Sequence, residues 1–218
     1  MHKTLLAEET GWHIGDGSMN YYLKRNKLKG LYQLRGHIVD DRQHYLARIK
    51  PVFDEVYGTN ISLRDMRSTS VFGFQLWNDT IVEKKRKLGL PLGKKTNIEI
   101  PAMILESKKY SQAFVRGMFD TDGNIYLEPK NNKFYPRIKF STISQPLANQ
   151  LLTLLQNLHY RATMYVDPVD LEKRRPHEEF IIEIRGDLMT SSFFEEIKPQ
   201  NSKHVLKFEA FKKAFKHT

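Results

Sequence analysis

Apolar positions along the chain follow two spacings, helical and alternating, and the same succession of them occurs twice. In residues 40–57, Ile49, Val52, Phe53 and Val56 recur at helical spacing, as do Leu147, Leu151, Leu154, Leu155 and Leu158 in residues 145–159. Both stretches therefore predict a helix with one face on a core. Strand-like alternation precedes each helix, in 18–24 and 124–128, and resumes in a second run beyond a short basic turn. The turns are RNKLKG (25–30) and KNNK (130–133). Two further strand candidates follow each helix: 61–67 and 71–77 in the first half, 162–166 and 180–185 in the second. A polar stretch at 105–111 reads as the connection between halves. Residues 167–178, with Pro168, Pro176 and the charged run 172–175, read as an exposed loop.

Each half opens on a related motif, ETGWHIGDGSM at 9–19 and VRGMFDTDGNI at 115–125. They align without a gap, matching Gly11 to Gly117, Asp16 to Asp122 and Gly17 to Gly123, with an offset of 106 residues. Each half then reads αββαββα. Glycine inside a helix costs about 1 kcal/mol relative to alanine, so Gly11 and Gly15 require a reason. Without side chains they let another helix approach closely, and Gly117 and Thr121 keep the same four-residue spacing in the second motif. Packing those faces together sets Asp16 beside Asp122. Adjacent carboxylates repel one another, and a divalent cation relieves the repulsion. Hard cations held by carboxylate, carbonyl and water oxygens activate water and stabilise a leaving oxygen, the chemistry of phosphodiester cleavage. A lone Asp-Gly is usually just a turn; its duplication in matched context points to the site.

The two motifs resemble the paired signature of the LAGLIDADG homing endonucleases of the monomeric, two-repeat type. The second is the closer match, since His13 and Gly15 depart from the nominal letters of the first. The resemblance implies an α+β fold of two pseudo-symmetric αββαββα repeats, 1–107 and 108–218. Antiparallel sheets would form a DNA-binding saddle, with the motif helices at the repeat interface. It also implies Mg²⁺ bound by Asp16 with the Gly15 carbonyl and by Asp122 with the Thr121 carbonyl, as two or three divalent ions for which Ca²⁺ or Mn²⁺ can substitute. Asp120 matches a motif acid that usually lies outside the metal site and is expected to be structural. A lysine late in each repeat is expected near the reaction centre. GLPLGKKTNIEIP (89–101) offers Lys94 or Lys95, and IKPQNSKHVLKFE (197–209) offers Lys203. Such a cation stabilises phosphorane charge or helps to activate water.

Strand periodicity gives each sheet a core face and a donor-rich face. On the donor side of the first half fall Ser18, Asn20, Tyr22, Lys24, Gln33, Arg35 and His37, opposite Met19, Tyr21, Leu23, Leu34 and Ile38. The second half sets Asn124, Tyr126, Glu128, Arg137, Lys139 and Ser141 opposite Ile125, Leu127, Ile138 and Phe140. These donor-side residues other than Glu128, together with Arg25, Lys27, Lys29, Arg64, Arg67, Gln75, Lys130, Lys133, Glu183 and Arg185, make up the expected DNA-binding set. Residues 18–39 hold five Lys and Arg and no acid. Such a surface suits the major groove, where Arg, Gln and Asn read base edges and Lys holds phosphate.

The formal charge of +10 agrees with a polyanionic partner, and both halves, divided at residue 109, are net positive. With no cysteine, disulfide scaffolds, thiolate zinc sites and cysteine nucleophiles are excluded. No stretch is apolar enough to span a bilayer and no signal peptide is visible, so the expectation is an intracellular protein, in cytoplasm, nucleoid or organelle. The expected activity is a metal-dependent double-strand break in a long, pseudo-palindromic DNA target. It would be made by a monomer that needs no protein partner and is encoded in an intron. The rival expectation is an RNA-splicing maturase or a cleavage-deficient regulator of the same fold.

Overall fold

The computed structural model describes residues 2–130, 133–170, 172 and 176–215. The first half contains α1 (His2–Gly15), β1 (Gly17–Lys24), β2 (Lys27–His37), α2 (Arg42–His44), a π turn (Tyr45–Ile49), α3 (Lys50–Tyr57), β3 (Arg64–Met66), β4 (Val71–Trp77), α4 (Asp79–Lys87) and α5 (Ala102–Leu105). The second contains α6 (Lys108–Asp122), β5 (Asn124–Lys130), β6 (Lys133–Thr142), α7 (Gln145–Asn157), β7 (Ala162–Asp167), β8 (Glu179–Arg185), α8 (Asp187–Glu196) and α9 (Ser202–Phe215). Their sheets have matching antiparallel orders, β1-β2-β4-β3 and β5-β6-β8-β7. This is the α+β architecture of two αββαββα repeats, each followed by one more helix.

Local chemistry moves several of the expected boundaries. The turn at 25–30 contracts to Arg25 and Asn26, both with positive φ (50° and 60°), and Leu23 already pairs with Leu28. Two consecutive left-handed residues match the twist of a hairpin, so the strands need no longer loop. The corresponding residues 131 and 132 lie outside the described residues. β3 is shorter than 61–67 because the chain before it is tied to α3: Ile61 donates its N–H to Asp54 at 2.7 Å, and Lys50 donates to the Ile61 carbonyl at 2.6 Å. The stretch 105–111 is mostly helix rather than linker. Ser107 caps α6 by accepting the Tyr110 N–H, which leaves Glu106 and Ser107 as the connection. Of the loop expected at 167–178, residues 171 and 173–175 lie outside the described residues.

Helices cover one face of each sheet. Tyr32, Leu34, Phe72 and Phe74 pack with Ile49, Val52, Phe53, Ile81 and Val82; Ile125, Ile138, Phe140, Ile182 and Ile184 pack with Leu147, Leu151, Leu155 and Phe193. The two interiors differ in kind. In the first, fully buried Glu9 pairs with fully buried Lys85 and accepts the hydroxyls of Tyr32 and Tyr57, both at 3.0 Å. In the second, Phe119, Phe140, Phe193 and Tyr160 stack edge to face or tilted.

The halves meet along α1 and α6. A Cβ on Gly11 would lie 2.4 Å from the Phe114 carbonyl oxygen, and one on Gly117 would lie 2.1 Å from that of Glu8. Backbone thus touches backbone at the seam, as the glycine spacing implied. Buried Glu8 bridges the same seam, accepting Arg48 from the π turn at 2.9 and 2.7 Å and Arg116 from α6 at 2.6 Å. Burial alone would raise the Glu8 carboxyl; the two guanidinium groups outweigh that and hold it below the usual carboxylate range.

Candidate active site and nucleic-acid face

The glycine seam delivers both motif acids to one place. Asp16 follows the last turn of α1, and Asp122 is the last residue of α6. A Cβ on Gly15 would lie 2.1 Å from Thr121 Oγ1 and 3.4 Å from the Asp122 carboxyl carbon, so these helix ends touch. Gly17 and Gly123 then turn the chain straight into β1 and β5. Neither adopts a left-handed conformation; a Cβ on Gly17 would strike His13 at 2.6 Å, and one on Gly123 would strike Phe119 at 2.3 Å. These glycines serve close approach rather than a left-handed turn.

A lysine stands at each helix end. Lys95, in the segment between α4 and α5, donates to the carbonyls of Ile14 and Gly15. That segment is held against β1 by the Gly93 N–H, which donates to the Met19 carbonyl at 2.9 Å. Lys203, in the first turn of α9, reaches the Thr121 carbonyl at 3.5 Å and pairs with Asp41 at 2.7 Å. Lys94 is exposed, so the choice left open between Lys94 and Lys95 falls to Lys95 on geometry.

The electrostatics suit a cation. Burial, the Asp122 charge and the Asp41 charge push Asp16 up to about 8, against Lys203 and a hydrogen bond from Tyr45 at 3.1 Å. The atoms crowding Asp122 raise it too, although its outer edge faces solvent, while Lys95 and Lys203 oppose the rise. Lys95 is lowered by its burial despite both acids. At the Gly15 and Thr121 carbonyls an ammonium already occupies the position of positive charge, so these oxygens and the two carboxylates fit a hard divalent ion.

Beside this centre, each sheet leaves its other face open. Register puts Ser18 opposite Gln33, Tyr22 opposite Lys29 and Lys24 opposite Lys27, with Asn20 in the same row. Gln33 pairs with Gln75, and Arg35 and Arg64 both face Gly73. His37 ends β2, Arg25 is in the hairpin turn, and Arg67 lies in the 3₁₀ turn between β3 and β4 rather than on a strand. In the second sheet Asn124 faces Lys139, Tyr126 faces Arg137, Arg137 faces Arg185, Lys139 faces Glu183, and Ser141 extends the row. Lys130 ends β5 and Lys133 opens β6; the Lys133 side chain lies outside the described residues.

Residues 109–198 match the family model of the LAGLIDADG-like domain. Among solved structures, mesophilic variants of the homing endonuclease I-DmoI superpose with a TM-score of 0.66 at 14% identity, covering 90% of this chain and 96% of that one. I-DmoI in complex with DNA and Ca gives 0.61 at 14% identity, covering 84% and 83%. The LAGLIDADG meganuclease I-AabMI bound to uncleaved DNA gives 0.61 at 11%, covering 99% and 92%. The second half therefore resembles a LAGLIDADG-like domain, and the whole chain has the two-repeat fold of these solved structures. No curated protein sequence matches the chain.

Around the two motif helices stand groups that the motif spacing did not disclose. Asp41 accepts the His37 N–H at 2.7 Å and the Asn201 amide at 2.8 Å, besides pairing with Lys203. Burial would raise Asp41; these three donors outweigh it and hold the acid low. Asn201 also donates to the Asp120 carbonyl at 2.8 Å. Asp120 accepts the backbone N–H groups of Gln200 and Asn201, so it caps the turn before α9 rather than its own helix, and burial pushes it up to about 7. No residue spacing linked Asp41 to Asn201, 160 positions away. The signal available was the pair of acids, Asp40 and Asp41, that opens the predicted helix.

Proposed function

We propose that this protein is a site-specific LAGLIDADG homing endonuclease that makes a metal-dependent double-strand break in a long, pseudo-palindromic DNA target and is intron-encoded. The observation that carries this reading is the meeting of Asp16 and Asp122 at the ends of two helices packed backbone to backbone. It is supported by complexes of I-DmoI with DNA and Ca, and with its target DNA in the presence of Mn or Mg.

In this reading, residues 1–107 and 108–218 each hold one half-site, and one chain suffices without a protein partner. Asp16, Asp122 and the carbonyls of Gly15 and Thr121 would hold Mg²⁺, with Ca²⁺ or Mn²⁺ as substitutes. Metal held there would supply activation of the attacking water and neutralisation of charge at the leaving oxygen. Lys95 and Lys203, fixed beside the two acids, stabilise the charge that develops on the phosphate. The open faces of both sheets enter the major groove, with Lys and Arg on phosphates and Asn, Gln and Arg on bases. Such a protein acts on intracellular DNA.

The test is incubation with Mg²⁺ and a duplex carrying the uninterrupted form of the junction that flanks the gene. Expected are cleavage by the wild type and binding without cleavage by Asp16→Asn and Asp122→Asn. Binding without cleavage by the wild type refutes the nuclease reading. Preferential binding of the host transcript would replace it with the maturase.

A further inference from the structure

On the open face of the second sheet, where base-reading groups are expected, stands a carboxylate with no acceptor to spare. Glu183 Oε1 accepts the hydroxyls of Tyr126 at 2.5 Å and Tyr165 at 3.2 Å. Its Oε2 accepts both Nε and Nη2 of Arg185, at 3.1 and 3.0 Å. The Glu183 side chain is only 5% exposed, whereas that of Arg185 is 51% exposed. Glu183 was expected to touch DNA itself; with four donors on two oxygens and almost no surface, it serves its neighbour instead.

The grip uses one side of the guanidinium, Nε and Nη2. One hydrogen of Nη1 and the remaining hydrogen of Nη2 form the end-on edge, a planar fork of two parallel donors. In the major groove guanine presents two adjacent acceptors, N7 and O6, which this fork matches; adenine replaces the second acceptor with a donor. The brace also fixes the side chain before DNA arrives, so less freedom is lost on binding.

Arg137, opposite on β6, lacks this freedom. It is 11% exposed and divided between Glu128 and the Pro136 carbonyl at 3.3 Å. The first sheet has an amide relay instead, Arg64 to Gln75 at 2.7 Å and Gln75 to Gln33 at 3.1 Å.

We propose that Arg185, braced by Glu183, reads a guanine in the half-site lying on the second repeat. This rests on the DNA-binding function proposed above. Wild type, Arg185→Met and Glu183→Gln are each incubated in Ca²⁺ with duplex libraries randomised in successive blocks, and the bound DNA is sequenced. The expected wild-type motif has guanine dominating one position of one half. Arg185→Met, which has no donor to offer, should keep the remainder but lose about tenfold of the preference at that position, and Glu183→Gln should lose part of it. Within the recovered site, 7-deazaguanine there should weaken wild-type binding and leave Arg185→Met unaffected, because only N7 is removed. Retention of the guanine by Arg185→Met overturns the proposal and leaves the DNA-binding function standing. A wild type that recovers no motif overturns both. Reversible unfolding of Glu183→Gln shows whether it is folded, and Arg185→Met alone decides if it is not.

Discussion

Replacing Asp16 by Asn should stabilise the protein when divalent metal is absent, although it removes a residue of the proposed centre. The carboxyl is lifted from 3.8 to about 8 by burial and by the neighbouring acids. That span of roughly four units is worth at most about 6 kcal/mol. Asp16 is only half-buried, and screening by water reduces the expected gain to about 2 kcal/mol. For an acid raised in the folded state, the cost of ionisation is absent below the unfolded value near 4, grows as pH rises, and is complete above about 8. In chelator, wild-type stability should therefore fall between pH 5 and pH 8, with a shallower slope in the variant. At pH 8 the variant should melt about 4–8 °C higher for a chain of this length. Thermal unfolding followed by circular dichroism measures both. Added Mg²⁺ or Ca²⁺ should raise the wild-type midpoint and move the variant much less, because the metal relieves the same repulsion. A variant that melts below the wild type in chelator at pH 8, or slopes that run parallel, would refute the electrostatic account of this centre.

Other consequences are equally direct. Lys95→Met should slow cleavage by about a hundredfold while exposed Lys94→Met stays near wild type, as read from an end-labelled duplex on a denaturing gel. Gly117→Ala should cost about 3 kcal/mol in urea unfolding, because its Cβ meets a rigid carbonyl at 2.1 Å rather than a side chain that can turn aside. Lys85→Met should cost about 3–5 kcal/mol by the same measurement, since Glu9 is left charged in the core; adding Glu9→Gln should recover part of the loss.

What the sequence revealed was set by repetition and period. The matched glycines of the two motifs disclosed a helix seam, and the two-residue alternation sorted core from open face, because both depend on local spacing. The short β3, the two-residue turn at Arg25 and the start of α6 at Ser107 were not legible. They depend on where individual backbone hydrogen bonds go, as in the Ile61 N–H spent on Asp54. Within the candidate site the acids were visible and the choice of lysine was not. Lys94 and Lys95 are adjacent and alike, and only the path of their segment against β1 decides which one reaches α1. Glu183 was placed on the right face, but its partners on three strands were beyond any linear pattern.

The tails of the two halves cross. The stretch after Lys95 lies on the far repeat, where Ile98 exchanges hydrogen bonds with Ser144 and Ile100 donates to Gln150. Asn201 and Lys203 return the favour at Asp41. The molecule is therefore clasped as well as joined, and its ancestry constrains its future. After a gene duplication, the groove-facing strands of each copy can drift toward new targets independently, but the clasp residues can change only in concert. Recombining halves from two such proteins at Ser107 would bring together strangers at these crossings. A working hybrid would have to inherit the clasp from one parent even where its sheets come from both.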